Sequence, residues 1–517
     1  MIEVYETKKK ELEEVGLSQT EIKKQLEKEF SKEELKAIED YKKRLLKIHP
    51  ILDFKNNIVY LTIWFPIEEE GELKEKPFII TSKREKFSIE QLPKNIKLQF
   101  YPHLVRSIED RWSLESVNEF LTTNTQIDIK LVFEKVKNLI KKHIELPEEG
   151  FYDFIALWII GTYFYPLFEA YPYLFINAQK RSGKTKLLTL ISLLASNGVL
   201  TGSITEASTF RPTERYRNTL CIDEIEQISS REYANLRDLL KFGYKKGLVI
   251  RRQGEKRKDI TFEYDVYCPK ALANIQGFEE ILEDRGFVII MERSTNSKII
   301  NTIVSREDPE IKETRNMLYN LLMSDIVYHM SSVTSVTTVT NSDGSDGSDG
   351  CDSNTDIIEG RWKELSLPIL TLAKVIDNQL FTSMIGFISQ QLKRKEIIDL
   401  VESRDMIFLT SLITFITHRK EEEFYPISEI RNHLIKIEGE EKWITNEWIG
   451  RALRRLNLRI EQRRTAKARE VKLNFKNIEE KATKYGLNIE KIHSEYEESE
   501  REEEAKKEDY QKTFIEY

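Results

Sequence analysis

The chain has 517 residues, of which 40% are hydrophobic and 32% are charged. At roughly 150 residues per domain this length predicts about three domains, and the hydrophobic share excludes a chain that is disordered throughout. The net charge of -7 excludes a polycation, so any nucleic-acid binding has to come from local basic patches.

The N-terminal third contains no catalytic pattern. Residues 1–50 are rich in Lys and Glu and predict a helical or coiled extension. Residues 51–112 predict a small β-rich module, with strands from Ile58 to Pro66 and from Pro77 to Thr81 and an acidic hairpin loop between them at 68–72. Residues 113–170 predict a helical lead-in to the next domain.

The cysteine pattern and the apolar segments predict a cytoplasmic protein without membrane contact. Cys221, Cys268 and Cys351 form no CxxC pair, so neither a zinc site nor a disulfide framework is indicated. The apolar run from Phe154 to Phe168 is shorter than the ~20 residues that span a bilayer and contains Pro166. A buried helix is the expected structure.

The rest of the chain predicts an α/β core, a linker and a small C-terminal domain. Strand and helix patterns alternate over 171–330, as in a parallel α/β domain. A Ser/Asp/Gly-rich segment over 331–360 can form no core and predicts a flexible linker. The fold class is therefore multidomain α/β, and the remaining predicted segments are a helical segment at 361–404, a winged-helix domain at 405–475 and a charged helical or disordered tail at 476–517.

A phosphate-binding loop is predicted between an apolar strand that starts at Tyr173 and an apolar helix. Strand, loop and helix in this order are the context of a P-loop, in which backbone N–H groups and the helix N-terminus hold phosphates. Lys184 is expected on the β- and γ-phosphates of ATP, and the Thr185 hydroxyl on Mg²⁺. Ala178 stands where the usual pattern has glycine, so the turn must avoid a strongly positive φ there. A chance G-K-T is the alternative. The predicted nucleotide contacts are Ala178, Gln179, Lys180, Arg181, Ser182, Gly183, Lys184 and Thr185.

An acidic pair is predicted to complete the hydrolytic site. The apolar stretch from Asn218 to Ile222 ends in Asp223 and Glu224, and two carboxylates at a strand end are costly to bury unless a cation is near. Asp223 is the predicted second Mg²⁺ ligand, and Glu224 is the predicted base for the attacking water. Acid pairs at strand ends are common, so the assignment of Asp223 and Glu224 to the site rests on their position after the loop.

Two residues further along the chain are candidate catalytic groups. Asn274 ends another apolar strand, where an amide can orient the lytic water, although such an Asn is more often a turn residue. Arg285 leads into a strand and is the predicted arginine finger, which would require a dimer or ring if it acts on a neighbouring subunit. A surface ion pair between Arg285 and Asp284 is the alternative.

With these elements in order, the core resembles the AAA+-type, superfamily-three-like helicase ATPases of phages, plasmids and archaeal mobile elements. It looks most like the uncharacterised ATPase domain at the C-terminus of many phage and plasmid primases. The resemblance covers about 150–300 and rests on Ser182 to Thr185, Leu220 to Glu224, Gly243 to Gly247, Pro269 to Ile275, and Asp284 with Arg285. It implies a hexameric ring that moves along DNA. Residues 1–112 carry no primase signature, so a separate primase or polymerase is an expected partner.

Two basic patches are the predicted DNA contacts. The first contains Lys245, Lys246, Arg251 and Arg252 and continues to Lys258. In ring helicases of the similar type a basic hairpin in this interval lines the pore, and Lys and Arg along a groove hold phosphates without reading sequence. A solvated charged loop is the alternative.

The second patch lies in the predicted winged helix. Two helices, the second capped by Thr445 or Asn446, are followed by two strands around a basic tip, and residues 451–472 hold 9 basic and 2 acidic residues. Readers of this kind place the second helix in the major groove. A protein-binding winged helix is the alternative. The predicted DNA contacts here are Arg451, Arg454, Arg455, Arg463 and Arg464.

Three functions remain open from the sequence. The first is an ATP-dependent DNA motor, a helicase or translocase of a mobile element. The second is a DNA-binding replication initiator or regulator that ATP switches between assembly states. The third is a protein-remodelling ATPase. Cations in the interval between the acidic pair and Asn274 favour the first.

Overall fold

The computed structural model describes residues 2–69, 71–102, 111–178, 181–202, 210–223, 234–253, 261–274, 280–330, 358–465, 468–484, 487–496, 498 and 501, apart from single positions at 16, 18, 125, 403, 418 and 422. The chain folds as two units, Met1–Ile388 and Ser389–Tyr517. The predicted multidomain α/β architecture, with a parallel core sheet and many helices, is confirmed. No helix in the described ranges is long and apolar enough to cross a membrane.

The first unit begins with three charged helices, α1 (Ile2–Glu14), α2 (Gln19–Glu29) and α3 (Lys32–Arg44). A small core forms where the apolar side chains of α1 and α2 recur at helical intervals. Leu12, Ile22 and Leu26 are buried in it. The predicted helical extension is thus a packed helical hairpin followed by a third helix.

A β-rich module follows, as the alternating apolar pattern predicts. Its strands are β1 (Leu46–Ile48), β2 (Leu52–Lys55), β3 (Ile58–Glu69), β4 (Glu72–Thr81), β5 (Lys86–Ser88) and β6 (Ile96–Leu98). Strands β2 to β5 form an antiparallel sheet in chain order, and β1 pairs with β6 in parallel. The predicted loop at 68–72 is wrong in extent, because pairing continues to Glu69 opposite Glu72. An ion pair between Lys76 and Glu69 accompanies this continued pairing.

The helical lead-in consists of α4 (Leu114–Thr122), α5 (Ile129–His143) and α6 (Glu149–Gly161), followed by a 3₁₀ turn at Tyr165–Leu167. Helix α6 is buried along nearly its whole length, which explains the uninterrupted apolar run. Gly161 is needed there, because an added Cβ would lie 2.4 Å from the Tyr171 hydroxyl. The first half of the run is a core helix, as predicted, whereas the half after Gly161 forms turns rather than α-helix.

Five parallel strands form the core sheet of the first unit. They are β7 (Tyr173–Ala178), β8 (Val199–Thr201), β9 (Leu220–Ile222), β12 (Lys270–Asn274) and β13 (Gly286–Met291). Their spatial order is β13-β7-β12-β9-β8, so the fourth strand along the chain lies between the first and the third. Strands β10 (Val249–Gln253) and β11 (Thr261–Asp265) form a separate antiparallel hairpin.

Several helices accompany this sheet in sequence, in addition to a short helical stretch at 326–330. They are α7 (Lys184–Leu194), α8 (Phe210–Tyr216), α9 (Ala234–Phe242), α10 (Glu280–Glu283), α11 (Ser297–Ile300), α12 (Pro309–Leu322), α13 (Gly360–Ile376) and α14 (Asn378–Glu402). Helix α7 directly follows the turn after β7 and has an almost fully buried apolar face. Most of the predicted linker, residues 331–357, lies outside the described residues.

The second unit has its own core. Its elements are α15 (Arg404–Ile416), β14 (Phe424–Pro426), α16 (Ile427–Glu438), α17 (Asn446–Arg455), β15 (Arg459–Arg464), β16 (Arg469–Leu473) and α18 (Phe475–Lys484). The strands are ordered β14-β16-β15, and the Thr445 hydroxyl caps α17 by accepting the Trp448 N–H. Ile478 and Ala482 of α18 are buried in the same core, so the packed structure continues beyond residue 475.

Candidate functional site

The described part of the loop after β7, residues 181–183, contains two left-handed residues. Arg181 and Gly183 have φ of 68° and 89°, a left-handed region that favours glycine. Helix α7 starts at Lys184, and Gly183 before it offers no side chain to its first N–H groups. Those groups point out of the helix N-terminus, where an anion is stabilised. Gln179 and Lys180 lie outside the described residues.

Three polar side chains meet beside this loop. The Thr185 hydroxyl donates a hydrogen bond to Asp223 Oδ2 at 2.5 Å, and Lys184 Nζ lies 3.9 Å from Asp223 Oδ1. Only 10% of the Lys184 side chain and 13% of the Asp223 side chain are exposed. Asp223 directly follows β9, and its backbone N–H donates to Thr201 O at 3.0 Å. The structure thus brings together a hydroxyl, an ammonium and a carboxylate that the sequence assigned to one site.

Asn274 lies at the same edge of the sheet, between the loop and the acid. It ends β12 and is 3% exposed. It pairs in register with Asn177, the residue before Ala178, while β12 pairs on its other side with β9. Because all of these strands are parallel, their carboxyl ends form one edge, which is where ligands bind in open α/β sheets.

The oxygen atoms at this edge suit a hard divalent cation. Mg²⁺ prefers oxygen ligands and usually takes one or two protein carboxylates, with phosphate oxygens and waters completing its shell. Thr185 and Asp223 supply a hydroxyl and a carboxylate. No cluster of three or more His, Cys, Asp or Glu side chains that would hold a metal alone occurs among the described residues. Glu224 lies outside them.

Arg285 lies at the opposite edge of the sheet. It immediately precedes β13, whose first residue pairs with Tyr173 at the start of β7. Its Nε donates to Lys241 O at 3.0 Å, and its guanidinium stacks 5.4 Å from the centre of the Tyr244 ring. The structure therefore does not bring Arg285 to the Lys184 and Asp223 of its own chain, and its predicted action on a neighbouring subunit stays a prediction.

Three cations of the first basic patch lie beside carboxylates. Lys245 binds Glu364 at 2.7 Å, and Lys246 lies 3.9 Å from Glu169. Arg251 binds Glu263, its cross-strand partner in the hairpin, at 2.8 Å. Arg252 lies on β10, and the hairpin tip at 254–260 lies outside the described residues. Lys245, Lys246 and Arg251 are thus each within ion-pair distance of a carboxylate.

The arginines of the second unit fall into two groups. Arg451 and Arg454 are exposed on α17, and Arg464 is exposed near the end of β15. Arg455 instead forms an ion pair with Asp405. Arg463 binds Glu470 at 2.7 Å and stacks 3.9 Å from the Phe424 ring centre. All five arginines are exposed, and the ion pairs of Arg455 and Arg463 distinguish these two from the other three.

Sequence patterns missed one residue beside the loop. Lys186 Nζ donates to Ile299 O at 2.8 Å and to the Thr302 hydroxyl at 2.6 Å, and burial lowers the pKa of its ammonium. These two hydrogen bonds link Lys186 of α7 to the C-terminal end of α11 and the residues that follow it. Its partners lie more than a hundred residues away along the chain, so no local signal could have identified them.

No protein-family model and no curated protein matches the chain. Among solved structures, it is similar to an A-form apo structure of the C-terminal region of NrS-1, at 12% identity over 80% of this chain and 85% of that one, with a TM-score of 0.32. A second apo structure of that region has 12% identity over 81% and 96%, with a TM-score of 0.34. The DNA-bound structure of Drosophila ORC has 11% identity over 69% and 93%, with a TM-score of 0.17. TM-scores of this size establish neither a fold nor a function.

Proposed function

We propose that this chain is an ATP-dependent DNA motor, a helicase or translocase that serves the replication of a mobile genetic element. One observation carries the ATPase part of the proposal. Thr185 and Lys184 at the start of α7 converge on Asp223 at the end of β9, at the carboxyl edge of a parallel sheet. A helix N-terminus, an ammonium, a hydroxyl and a carboxylate at one edge are the groups that a P-loop ATPase requires.

Each group has a distinct task in hydrolysis. The loop amides and Lys184 bind and neutralise the β- and γ-phosphates, while Thr185 and Asp223 hold Mg²⁺. When bound, Mg²⁺ supplies charge neutralisation on the phosphate oxygens. Glu224 accepts the proton of the attacking water, and Asn274, buried between loop and acid, orients that water. Positioning and charge stabilisation, rather than covalent chemistry, account for the rate.

The assembly is proposed to be a ring, a hexamer by the family likeness, with Arg285 serving the nucleotide of a neighbouring subunit. Its place at the amino edge of the sheet, away from Lys184 of its own chain, supports an action between subunits. The arginine would stabilise charge that develops on the transferred phosphoryl group.

The second unit is proposed to be a winged helix that contacts DNA. A helix, a strand, two helices and a hairpin follow one another, with the strand order β14-β16-β15. Helix α17 exposes Arg451 and Arg454, as a helix that approaches the phosphate backbone should.

One observation favours a second candidate function. Lys245, Lys246 and Arg251 at the base of the hairpin lie beside carboxylates, whereas Arg451 and Arg454 of α17 are exposed. That contrast suits an initiator or regulator that binds duplex DNA through the second unit and uses ATP to switch its assembly.

ATP hydrolysis with and without single-stranded DNA separates these functions. The variants are Lys184→Ala and Glu224→Gln, with Lys135→Ala as the matched control, a half-buried lysine of the same unit that pairs with Glu313. Stimulation by DNA that both site variants abolish and the control keeps supports the motor. Hydrolysis indifferent to DNA refutes the motor and favours protein remodelling. Nucleotide binding without hydrolysis favours the switched initiator.

A further inference from the structure

The central strand of the parallel sheet begins with a fully buried lysine. Lys270, the first residue of β12, is 0% exposed. Its ammonium donates to the carbonyl oxygens of Gly243 at 3.0 Å, Val266 at 3.1 Å and Cys268 at 3.0 Å. Burial lowers the pKa of this ammonium, yet each of its three N–H donors has an acceptor. A buried cation satisfied in this way fixes its partners, because removing it would leave carbonyl groups unpaired.

The partners of Lys270 lie at the two ends of the basic hairpin. Gly243 follows α9 and precedes β10, whereas Val266 directly follows β11. The Cys268 N–H also donates to Gly243 O at 3.2 Å. Gly243 is needed for this approach, since an added Cβ would lie 2.4 Å from Val266 O and 2.5 Å from Lys270 Nζ. One ammonium therefore holds both chain segments at the base of the hairpin.

The other end of the same strand reaches the candidate nucleotide site. Asn274 ends β12 opposite Asn177, beside the loop after β7. Four steps of about 3.3 Å place the Cα atoms of Lys270 and Asn274 roughly 13 Å apart. Strand β12 pairs with β7 on one side and with β9 on the other. A short strand that is held on both sides thus joins the base of the hairpin to the edge where Lys184 and Asp223 meet.

We propose that Lys270 is a positioning residue that couples the basic hairpin to the nucleotide site. The proposal rests on the proposed ATPase function. A displacement of β12 that accompanies nucleotide binding moves the Lys270 ammonium, and with it both ends of the hairpin. Conversely, a displacement of the hairpin moves Asn274 through β12, since coupling between two sites is reciprocal.

Hydrogen exchange of β10 and β11 tests the coupling without depending on hydrolysis. Exchange is measured with and without a non-hydrolysable ATP analogue and Mg²⁺, and binding of the analogue is measured separately. The wild-type protein is expected to change exchange in these strands by about fivefold or more, the lower range of allosteric coupling. Lys270→Met and Gly243→Ala should still bind the analogue and lose this change. The second variant leaves Lys270 in place and carries the test if the first does not fold.

The matched control is Leu318→Ala, which opens a cavity at a fully buried residue of α12, outside α9, β10, β11 and β12. It should lower the melting temperature and keep the nucleotide-dependent change. The coupling is refuted if the wild-type protein binds the analogue without a change in the hairpin, or if both variants keep the change. A wild-type protein that binds no nucleotide refutes the proposed function itself, and the coupling with it.

Discussion

Replacing Thr185 by valine removes one hydroxyl and keeps the shape of the side chain. That hydroxyl donates to Asp223 at 2.5 Å, and the proposed function makes both groups Mg²⁺ ligands. A hydrogen bond to a charged group contributes about 1.5–3 kcal/mol, which corresponds to roughly 12- to 150-fold in a dissociation constant, with about 30-fold as a middle value of this range. Thr185→Val is therefore expected to lose this factor from nucleotide binding in the presence of Mg²⁺, and little in its absence.

Equilibrium titration with a fluorescent ATP analogue, in Mg²⁺ and in EDTA, measures this difference. Thr185→Ser keeps the hydroxyl and is the control, so it should retain the tightening by Mg²⁺ that the wild-type protein shows. The melting temperature of each variant without nucleotide reports whether α7 is intact. If Thr185→Val keeps a Mg²⁺-dependent tightening within about threefold of Thr185→Ser, well below the 30-fold expected from the lost contact, Thr185 is not a metal ligand.

Three further predictions concern the loop, the arginines and pH. Gly183→Ala should weaken ATP binding about tenfold in the same titration, because alanine at φ 89° costs roughly 1–2 kcal/mol although its Cβ would meet only a methyl group at 3.8 Å. Replacing Arg451 and Arg454 together by alanine should reduce the slope of log affinity against log salt concentration for duplex DNA by the share of about two phosphate contacts. Arg463→Ala should change this slope less, because Arg463 is paired with Glu470. His49 is buried and its pKa is held well below its ordinary value, chiefly by burial. The folded state therefore favours neutral His49, and the melting temperature of the protein should fall as pH drops below about 6.5.

The three predictions have separate controls. An unchanged ATP affinity in Gly183→Ala would show that the left-handed turn is not needed for binding. Equal salt slopes for the Arg463 variant and the double variant would contradict the division between paired and exposed arginines. For the pH prediction, His49→Asn removes the titrating group, so a melting temperature that falls equally with acid in this variant would assign the effect to other residues.

Local patterns in the sequence were sufficient to predict the loop and its flanking elements. The apolar stretch from Tyr173 and the helix from Lys184 follow from hydrophobic runs and from the loop composition, and both are present. The short strand before Asp223 is present for the same reason. These elements depend on residues that are neighbours in the chain, so composition and spacing determine them.

Contacts between distant residues could not be predicted in this way. The place of β12 between β7 and β9 depends on pairing across nearly a hundred residues. Lys245, a predicted DNA contact, pairs with Glu364, and nothing near Lys245 in the sequence indicates this partner. Lys270 lies in an apolar strand, and three carbonyl groups that accept its N–H donors offset the free-energy cost of burying its charge.

The strand order of the core sheet also determines how the chain can fold as it is synthesised. Strands β7 and β9 are synthesised before β12, yet each pairs with β12 and not with the other. A nascent chain that ends before Lys270 therefore has no continuous sheet. The position between β7 and β9, on whose carboxyl ends Thr185 and Asp223 follow, is still empty. Such non-local pairing slows folding and exposes unpaired strands. We expect folding of the first unit to depend on late insertion of its central strand between β7 and β9.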